Sequence, residues 1–299
     1  MSYKTLCCNN ALTAKICTLT RRYKINALRL LMMVLYLTGH LTSAYGLEMR
    51  YNVQQIQENS LVAYLYVPEG TQPTAAVIVL GGSSGRLNLD YSRLLASQGI
   101  VAMSLRYFNA DQLPQTLDNV PVETVIQAVD YLCEHAAVDA SKIGVLGVSR
   151  GSELAFLSAS NDKRIQAVVG IVPSSVAWHG QVGANAWTYQ GKAIEALTFS
   201  RSSDTPLLQR AEIALAQEDE RSRAFFSFED INGPLLLISA RQDHIWPSEK
   251  MSQQIVGYLN KHNFKFTVEH ISMNDDHFVT QNILKNLKDR LIGHFKFSD

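Results

Sequence analysis

The stretch Gly147-Val148-Ser149-Arg150-Gly151 constrains the fold of this chain more than any other feature. An apolar run typical of a strand, residues 143–146, precedes it, and a helix-forming run, residues 153–157, follows it. Glycines on both sides of the serine remove two Cβ atoms, so a strand and a helix can pack closely around a tight turn. In this context the G-x-S-x-G pattern predicts a serine hydroxyl presented at a strained strand-to-helix turn. A βα turn in which Ser149 only caps the helix is the alternative.

Segments typical of strands and helices alternate along the chain after residue 47. Residues 75–80 are continuously apolar, as in strands that are covered on both faces. The segments predicted as strands are 49–56, 61–67, 75–80, 100–105, 142–148, 166–172, 234–240 and 264–271. The segments predicted as helices are 89–97, 122–135, 248–260 and 280–295. This alternation predicts an α/β domain over residues 47–299 with a mostly parallel, doubly wound sheet.

The first 46 residues do not fit the alternation. Four basic residues between positions 21 and 29 precede an apolar run at 30–37, and small residues follow at 42–46. A basic, an apolar and a small-residue region in this order predict a secretory signal peptide. The apolar run is shorter than the about 20 residues that a membrane-spanning helix needs. We therefore expect an exported protein, periplasmic or secreted, with an uncleaved membrane anchor over residues 27–39 as the alternative.

Charge and cysteine content exclude several classes of function. The 27 basic and 27 acidic side chains balance to a formal net charge of zero, so no global field attracts nucleic acid. Three of the four cysteines lie before residue 47, and no cluster of Cys and His has the spacing of metal ligands. We expect no metal, no organic cofactor and no nucleic-acid partner, and membrane contact only through the N-terminal segment. The sequence leaves the oligomeric state open.

A serine nucleophile requires a base and an acid that orients the base. In the chain order of α/β-hydrolases the acid follows the serine and the histidine comes last. Asp243 follows the apolar run 235–239, and His277 lies beyond the last predicted strand. Capping of the next helix is the alternative role for Asp243. We predict a catalytic triad of Ser149, Asp243 and His277.

Three other histidines compete with His277 for the role of base. His270 lies within a predicted strand and His294 within the predicted terminal helix, whereas His244 is adjacent to Asp243 and comes early for a base in this fold. Chain order and position therefore favour His277.

The glycine-rich loop Gly81-Gly82-Ser83-Ser84-Gly85 follows the first long apolar strand. In α/β-hydrolases an N–H group of such a loop and the N–H of the residue after the nucleophile bind the developing oxyanion. We therefore predict an oxyanion hole formed by the backbone N–H groups of Gly82, Ser83 and Arg150. Phosphate binding is the alternative, but neither G-x-x-x-x-G-K-[ST] nor G-x-G-x-x-G occurs.

Several segments between residues 75 and 178 resemble the C-terminal catalytic domain shared by acyl-CoA thioesterases and bile acid-CoA:amino acid N-acyltransferases. The matching segments are the Gly81-Gly82 loop, 94–99, 106–114 and 147–154. Within 106–114 the pattern Tyr-Phe-Asn…Leu-Pro is the most distinctive. Further on, Asp243-His244-Ile245-Trp246 looks like the acid loop of the family, and His277 stands where its histidine is expected.

The resemblance implies Ser149 as nucleophile, Asp243 as acid and His277 as base, in agreement with the triad argued from chain order. In this family a serine nucleophile goes with hydrolysis, whereas the amino-acid-conjugating members use cysteine. The usual lysine after the nucleophile is Arg150 in this chain. The implied activity is hydrolysis of acyl thioesters or carboxylic esters through an acyl-enzyme intermediate, with a small-molecule acyl compound as the partner.

Two other functions are compatible with the same scaffold. One is a dienelactone-hydrolase-like or peptidase activity, and the other is a hydrolase-fold binding protein without turnover. A signal peptide would place the enzyme where coenzyme A thioesters are scarce, which leaves the leaving group open.

The connection at residues 173–230 is longer than an ordinary link between strands and is rich in aromatic residues. We predict that it is a cap inserted over the active site and that Trp178, Trp187 and Trp246 line the substrate pocket. A surface insertion whose aromatic side chains pack on the domain is the alternative.

Overall fold

The computed structural model describes residues 49–70, 73–199 and 204–297. The predicted signal peptide or anchor, residues 1–46, lies outside the described residues. Within the described ranges, no helix combines the length and the apolar character that crossing a membrane requires.

An eight-stranded sheet forms the centre of the domain. Its strands are β1 Tyr51–Glu58, β2 Leu61–Pro68, β3 Thr74–Leu80, β4 Val101–Arg106, β6 Val138–Val148, β7 Ile165–Ile171, β10 Leu235–Ala240 and β11 Val268–Met273. Their order is β1-β2-β4-β3-β6-β7-β10-β11. The pairs β1–β2 and β2–β4 are antiparallel, and every other neighbouring pair is parallel. The predicted α/β fold with a mostly parallel sheet is therefore confirmed.

Helices cover both faces of this sheet. In the described ranges they are α1 Leu89–Ser97, α2 Glu123–Glu134, α3 Arg150–Asn161, α4 Leu207–Leu215, α5 Glu218–Ala224, α6 Ser248–Lys261, α7 Thr280–Asn286 and α8 Lys288–His294. Side chains alternate along β3, so Ile78 packs with one apolar cluster and Val77 with another on the opposite face. Leu132 and Leu154, from α2 and α3, belong to the first cluster, and Leu95 of α1 belongs to the second. The sheet is thus doubly wound.

An insertion, residues 172–234, separates β7 from β10. Its described part contains β8 Trp187–Tyr189, β9 Lys192–Ala193, α4, α5 and a 3₁₀ turn at Phe228–Asp230. Strand β8 pairs with β9 and, in parallel, with the short strand β5, Val120–Pro121. The segment predicted as a cap, residues 173–230, falls within this insertion.

Two predicted elements differ from the structure near the C-terminus. The helix predicted over 280–295 is two helices, because Leu287 at φ −124° and ψ 9° ends the first one. Ile283 and Leu291, on either side of this break, pack in the same apolar cluster. The strand predicted over 264–271 begins only at Val268, since Phe264 instead ends the turn after α6 with an N–H bond to the carbonyl of Leu259.

Candidate active site

Ser149 occupies the turn between β6 and α3. Its φ is 54° and its ψ is −121°, a strained conformation for a residue with a Cβ atom. Three hydrogen bonds hold it: the N–H of Ser149 donates to the carbonyl of Ile171 at 2.9 Å, and the carbonyl of Ser149 accepts from the N–H and the hydroxyl of Ser152 at 2.8 and 2.6 Å. A strained serine between a strand and a helix is the geometry of a nucleophile elbow.

The glycines on both sides of Ser149 are required by close backbone contacts. A Cβ atom on Gly147 would lie 2.2 Å from the carbonyl oxygen of Gly151, and one on Gly151 would lie 2.3 Å from the carbonyl oxygen of Gly81. A change of rotamer cannot relieve such a contact, because both the Cβ atom and the opposing carbonyl oxygen are fixed by the backbone. The G-x-S-x-G pattern therefore lets β3, β6 and α3 meet at one point.

The three predicted triad residues lie within hydrogen-bond distance of one another. The Oγ atom of Ser149 is 2.9 Å from Nε2 of His277, and Nδ1 of His277 is 2.9 Å from both carboxylate oxygens of Asp243. All three residues are between 4% and 9% exposed. Ser149 follows β6, Asp243 follows β10 and His277 follows β11. The parallel sheet therefore brings their side chains together at its carboxyl edge.

The surroundings of His277 fix its ring. Oδ1 of Asp243 accepts the N–H groups of Ile245 and Trp246 at 3.0 and 3.2 Å, which holds the carboxylate in place. The rings of Trp246 and Phe278 lie edge-on to the imidazole, at 5.6 and 5.7 Å. With Nδ1–H donated to a carboxylate, Nε2 faces Ser149 as an acceptor, and the pair can remove the hydroxyl proton.

Gly82, Ser83 and Arg150 lie around the Ser149 hydroxyl and line the same cavity. A Cβ atom built on Gly82 would be 3.9 Å from the Oγ atom of Ser149. Among the described residues, the N–H groups of Gly82 and Ser83 have no backbone acceptor. Arg150 is the first residue of α3, where an N–H has no partner within the helix and lies at the positive end of the helix dipole. These three N–H groups are therefore candidate donors to an oxyanion at Ser149.

The cavity at Ser149 has a volume of about 590 Å³. The insertion supplies one wall, and the residues that follow β10 and β11 supply the other. The lining residues that sequence reasoning missed are Leu117, His179, Gly180, Gln181, Phe199, Leu207, Ile245, Phe278 and Thr280. Aromatic content pointed to this insertion, but no local pattern shows which of its side chains face the site. A second cavity, of about 640 Å³, lies at the amino ends of the strands and contains no triad residue.

Of the three tryptophans predicted for the pocket, Trp246 lines the cavity, whereas Trp178 and Trp187 do not. Trp178 stacks on Phe199 at 4.2 Å, and its indole N–H donates to the hydroxyl of Ser174 at 2.9 Å. The indole N–H of Trp187 donates to the carboxylate of Glu153 at 2.8 Å. Both rings are fully buried behind the pocket wall. The prediction for these two residues is therefore corrected: they pack inside the domain on Ser174, Phe199 and Glu153 and do not line the cavity.

A buried ion pair within α3 holds the insertion through hydrogen bonds. Nη1 of Arg150 is 3.0 Å from Oε1 of Glu153, and Nη2 of Arg150 donates to the carbonyls of Trp178 and His179 at 2.9 and 3.2 Å. Oε2 of Glu153 accepts the backbone N–H of Trp178 at 3.1 Å and the indole of Trp187. Burial raises the pKa of Glu153 to about 7, against the lowering effect of Arg150. The sequence prediction assigned a role only to the backbone of Arg150. The pattern that could have predicted the ion pair is a basic and an acidic residue three positions apart in an otherwise apolar helix.

The described residues contain no group of three or more His, Cys, Asp or Glu side chains placed to hold a metal ion.

Two solved structures of similar fold are named as hydrolytic enzymes. A Mycobacterium tuberculosis puromycin-hydrolyzing peptidase has a TM-score of 0.57 at 17% identity, with 83% of this chain and 39% of that chain covered. A Klebsiella pneumoniae protein assigned to the dienelactone hydrolases has a TM-score of 0.56 at 16% identity, with 83% and 98% covered. At these identities the likeness establishes an α/β-hydrolase fold.

Sequence comparison gives the family. Acyl-coenzyme A thioesterase 1 of Rattus norvegicus is 32% identical over 211 residues, which are 69% of this chain and 49% of the relative. Bile acid-CoA:amino acid N-acyltransferase of Mus musculus is 30% identical over 221 residues, 71% and 50% of the two chains. The chain thus spans about half the length of the curated relatives it matches. The family model described as BAAT / acyl-CoA thioester hydrolase C terminal matches residues 120–280. The chain therefore belongs to this family of hydrolases and acyltransferases, as the segments around Tyr107 and Ser149 predict.

Proposed function

We propose that this protein is a serine hydrolase that cleaves acyl thioesters or carboxylic esters through an acyl-enzyme intermediate. The observation that carries the proposal is the distance of 2.9 Å between Nε2 of His277 and Oγ of Ser149, continued at 2.9 Å to the carboxylate of Asp243. A buried hydroxyl, imidazole and carboxylate in this order provide a nucleophile, a base and a group that orients the base.

The first half of the reaction acylates the enzyme. Oγ of Ser149 attacks the carbonyl carbon while Nε2 of His277 removes the hydroxyl proton, and Asp243 stabilises the resulting imidazolium. The N–H groups of Gly82, Ser83 and Arg150 bind the oxygen that becomes negative. The tetrahedral intermediate then collapses: the bond to the thiolate or alkoxide breaks, and His277 gives its proton to this leaving group.

The second half releases the acid. Water takes the position of the leaving group, and Nε2 of His277 removes one of its protons as it attacks the acyl carbon. The same N–H groups bind the second oxyanion. Collapse of this intermediate breaks the bond to Oγ, and the proton on His277 returns to Ser149. The products are a carboxylic acid and free enzyme.

The character of the cavity supports an acyl compound with an apolar acyl group. Apolar side chains form much of its wall, namely Phe199, Leu207, Ile245, Trp246 and Phe278. The relatives named above are an acyl-coenzyme A thioesterase and a bile acid-CoA:amino acid N-acyltransferase. We propose an acyl thioester as the substrate. Export of the chain remains a prediction from residues 1–46. An exported enzyme would meet few coenzyme A thioesters, so its leaving group would be a different thiol or an alcohol.

A fluorophosphonate probe tests the nucleophile. We expect the probe to label the wild-type protein, and we expect the Ser149→Ala variant to lose both labelling and ester hydrolysis. The matched control is Ser158→Ala, which removes a buried hydroxyl within α3 that donates to the carbonyl of Leu154. Equal labelling of wild type and Ser149→Ala would refute the proposed nucleophile, and a labelled protein without turnover on any substrate would favour the binding-protein alternative.

A substrate panel then separates the reactions. It contains p-nitrophenyl esters, acyl-coenzyme A thioesters, N-acetylcysteamine thioesters of the same acyl groups, and short peptides. Comparison of the two thioester series isolates the contribution of the nucleotide part of coenzyme A, because the acyl group and the thioester bond are the same. We expect thioesters and esters to be hydrolysed and peptides to be inert; turnover of peptides alone would overturn the proposed substrate class.

A further inference from the structure

The segment from Tyr107 to Asp118 contains the Tyr-Phe-Asn…Leu-Pro pattern, none of whose residues has a role in the proposed reaction. It follows β4, the strand that pairs in parallel with β3. We name residues 81–84, which follow β3, the oxyanion loop. Since parallel neighbours end at the same edge of the sheet, Tyr107 lies directly beside this loop.

The hydroxyl of Tyr107 binds the oxyanion loop from the protein side. Its Oη atom is 2.7 Å from the carbonyl oxygen of Gly81 and 3.2 Å from that of Gly82, so one O–H is shared between two acceptors. The ring is 2% exposed and packs against Phe108 and Trp187. Burial raises the pKa of Tyr107 well above its usual range, so the hydroxyl remains a donor.

Peptide geometry connects these two carbonyls to the predicted oxyanion hole. The carbonyl of Gly81 and the N–H of Gly82 belong to one planar peptide group, as do the carbonyl of Gly82 and the N–H of Ser83. No described peptide bond is cis, so the N–H points away from the C=O in each group. A hydroxyl that holds both carbonyls on the protein side therefore aims both N–H groups away from Tyr107, toward the cavity that Gly82 and Ser83 line.

The third carbonyl of the loop is held from the insertion. Nε2 of Gln181 donates to the carbonyl of Ser83 at 3.0 Å, and Oε1 of Gln181 accepts the N–H of Leu117 at 3.1 Å. Asp118 in turn accepts the N–H groups of Gln181 and Val182 at 3.1 Å. The segment from Tyr107 to Asp118 thus reaches the oxyanion loop twice, once directly and once through Gln181.

We propose that Tyr107 is a positioning residue of the oxyanion hole: its hydroxyl sets the direction of the Gly82 and Ser83 N–H groups, and Gln181 steadies the same loop. Two adjacent glycines allow many backbone conformations, and the internal bond from the N–H of Gly85 to the carbonyl of Gly82 is long, at 3.4 Å, so a bond from outside the loop helps to keep one of them. This inference rests on the proposed function, because it assigns a partner to the donors that the hydrolytic mechanism uses.

The test is Tyr107→Phe, which removes one oxygen atom and keeps the ring. Loss of one oxyanion donor costs about 10² to 10³ in rate; a loop that only loses its preferred orientation should cost less, about tenfold to 10² in kcat. We expect little change in KM. The affinity for a trifluoromethyl ketone, which forms a tetrahedral adduct with the serine, should fall by a similar factor. The control is Tyr66→Phe, another buried tyrosine, on β2.

Two results would overturn the inference. Tyr107→Phe with wild-type kcat and wild-type inhibitor affinity would show that the hydroxyl does not position the donors. A rise in KM alone would place it in substrate binding. If Tyr107→Phe does not fold, Gln181→Leu tests the loop from the other side. We expect a smaller fall in kcat, because Gln181 holds the peptide group that follows the Ser83 N–H and not the group of the donor itself. Wild-type kcat would count against the inference that bonds from outside the loop position its donors.

Ser149→Ala keeps this test separate from that of the proposed function. Turnover by Ser149→Ala would refute the proposed function itself. An inactive Ser149→Ala together with a fully active Tyr107→Phe would refute only the role of Tyr107.

Discussion

Gly151→Ala adds one methyl group where α3 begins against the end of β3. The new Cβ atom would lie 2.3 Å from the carbonyl oxygen of Gly81 and 2.8 Å from that of Leu80. An ordinary van der Waals contact starts near 3.4 Å, so the start of α3 and the oxyanion loop must separate by about 1 Å. Both opposing atoms are backbone atoms, and no change of rotamer relieves the contact.

The magnitude follows from two opposing effects. Overpacking of this kind costs about 1–3 kcal/mol, and the preference of a helix for alanine over glycine returns about 0.5–1 kcal/mol. Each kcal/mol corresponds to about 2–4 °C in Tm for a domain of this size, so we expect a fall of a few degrees. The effect on catalysis should be larger, because a displacement of about 1 Å between catalytic groups can cost about 10²-fold in rate.

Gly257→Ala is the matched control. Gly257 lies within α6, and a Cβ atom there meets nothing within 4 Å. The same chemical change should therefore raise the stability by about 0.5–1 kcal/mol and leave kcat unchanged. Thermal unfolding followed by circular dichroism gives Tm, and hydrolysis of a p-nitrophenyl ester gives kcat/KM. If Gly151→Ala keeps the wild-type kcat/KM, the close approach of backbone atoms is not what sets the geometry of the nucleophile turn.

Three further substitutions have distinct expected outcomes. Asp243→Asn should lower kcat by about 10⁴, as the same change does in serine proteases, because it removes the carboxylate that selects the histidine tautomer; steady-state kinetics at constant Tm checks this. Burial raises the pKa of Glu153 to about 7 from an ordinary value of 4.5. Between these two pH values the folded state keeps a proton that the unfolded state has lost, so the free energy of unfolding falls as pH rises. Glu153→Gln should flatten that slope in urea unfolding at pH 5 and pH 7, and an unchanged slope would contradict the assignment. Phe278, 72% exposed at the cavity, should pack against long acyl chains, so Phe278→Ala should raise KM for long-chain esters by about fourfold for each methylene that the ring no longer covers and leave KM for short-chain esters unchanged.

Local sequence predicted those parts of the site that depend on neighbours along the chain. The turn at Ser149 requires two glycines, a strand before it and a helix after it, and all of these are adjacent in sequence. Asp243 and His277 could be predicted because each lies within four residues of the end of a strand, and the carboxyl ends of parallel strands meet at one edge.

The pocket could not be predicted in the same way. Whether a tryptophan faces the cavity depends on contacts with residues distant in sequence, such as those of Trp178 and Trp187 with Glu153. The break at Leu287 is also invisible to periodicity, because the apolar pattern continues through it. The hydroxyl of Tyr107 contacts a loop 26 residues earlier in the chain, and only the family resemblance drew attention to it.

The side chain of Arg150 has a consequence for how substrates enter. Its pair with Glu153 and four hydrogen bonds attach the insertion, at Trp178, His179 and Trp187, to the first turn of α3. A lid that swings open at this wall would have to break these hydrogen bonds and leave buried polar groups without partners, which is costly. Acyl compounds should therefore pass through the outer mouth beside Phe278, and turnover should follow simple saturation without a slow conformational gate. We therefore expect the cavity to be open before the substrate binds. Differences in chain-length preference among variants should then arise from the side chains at the cavity entrance, such as Phe278.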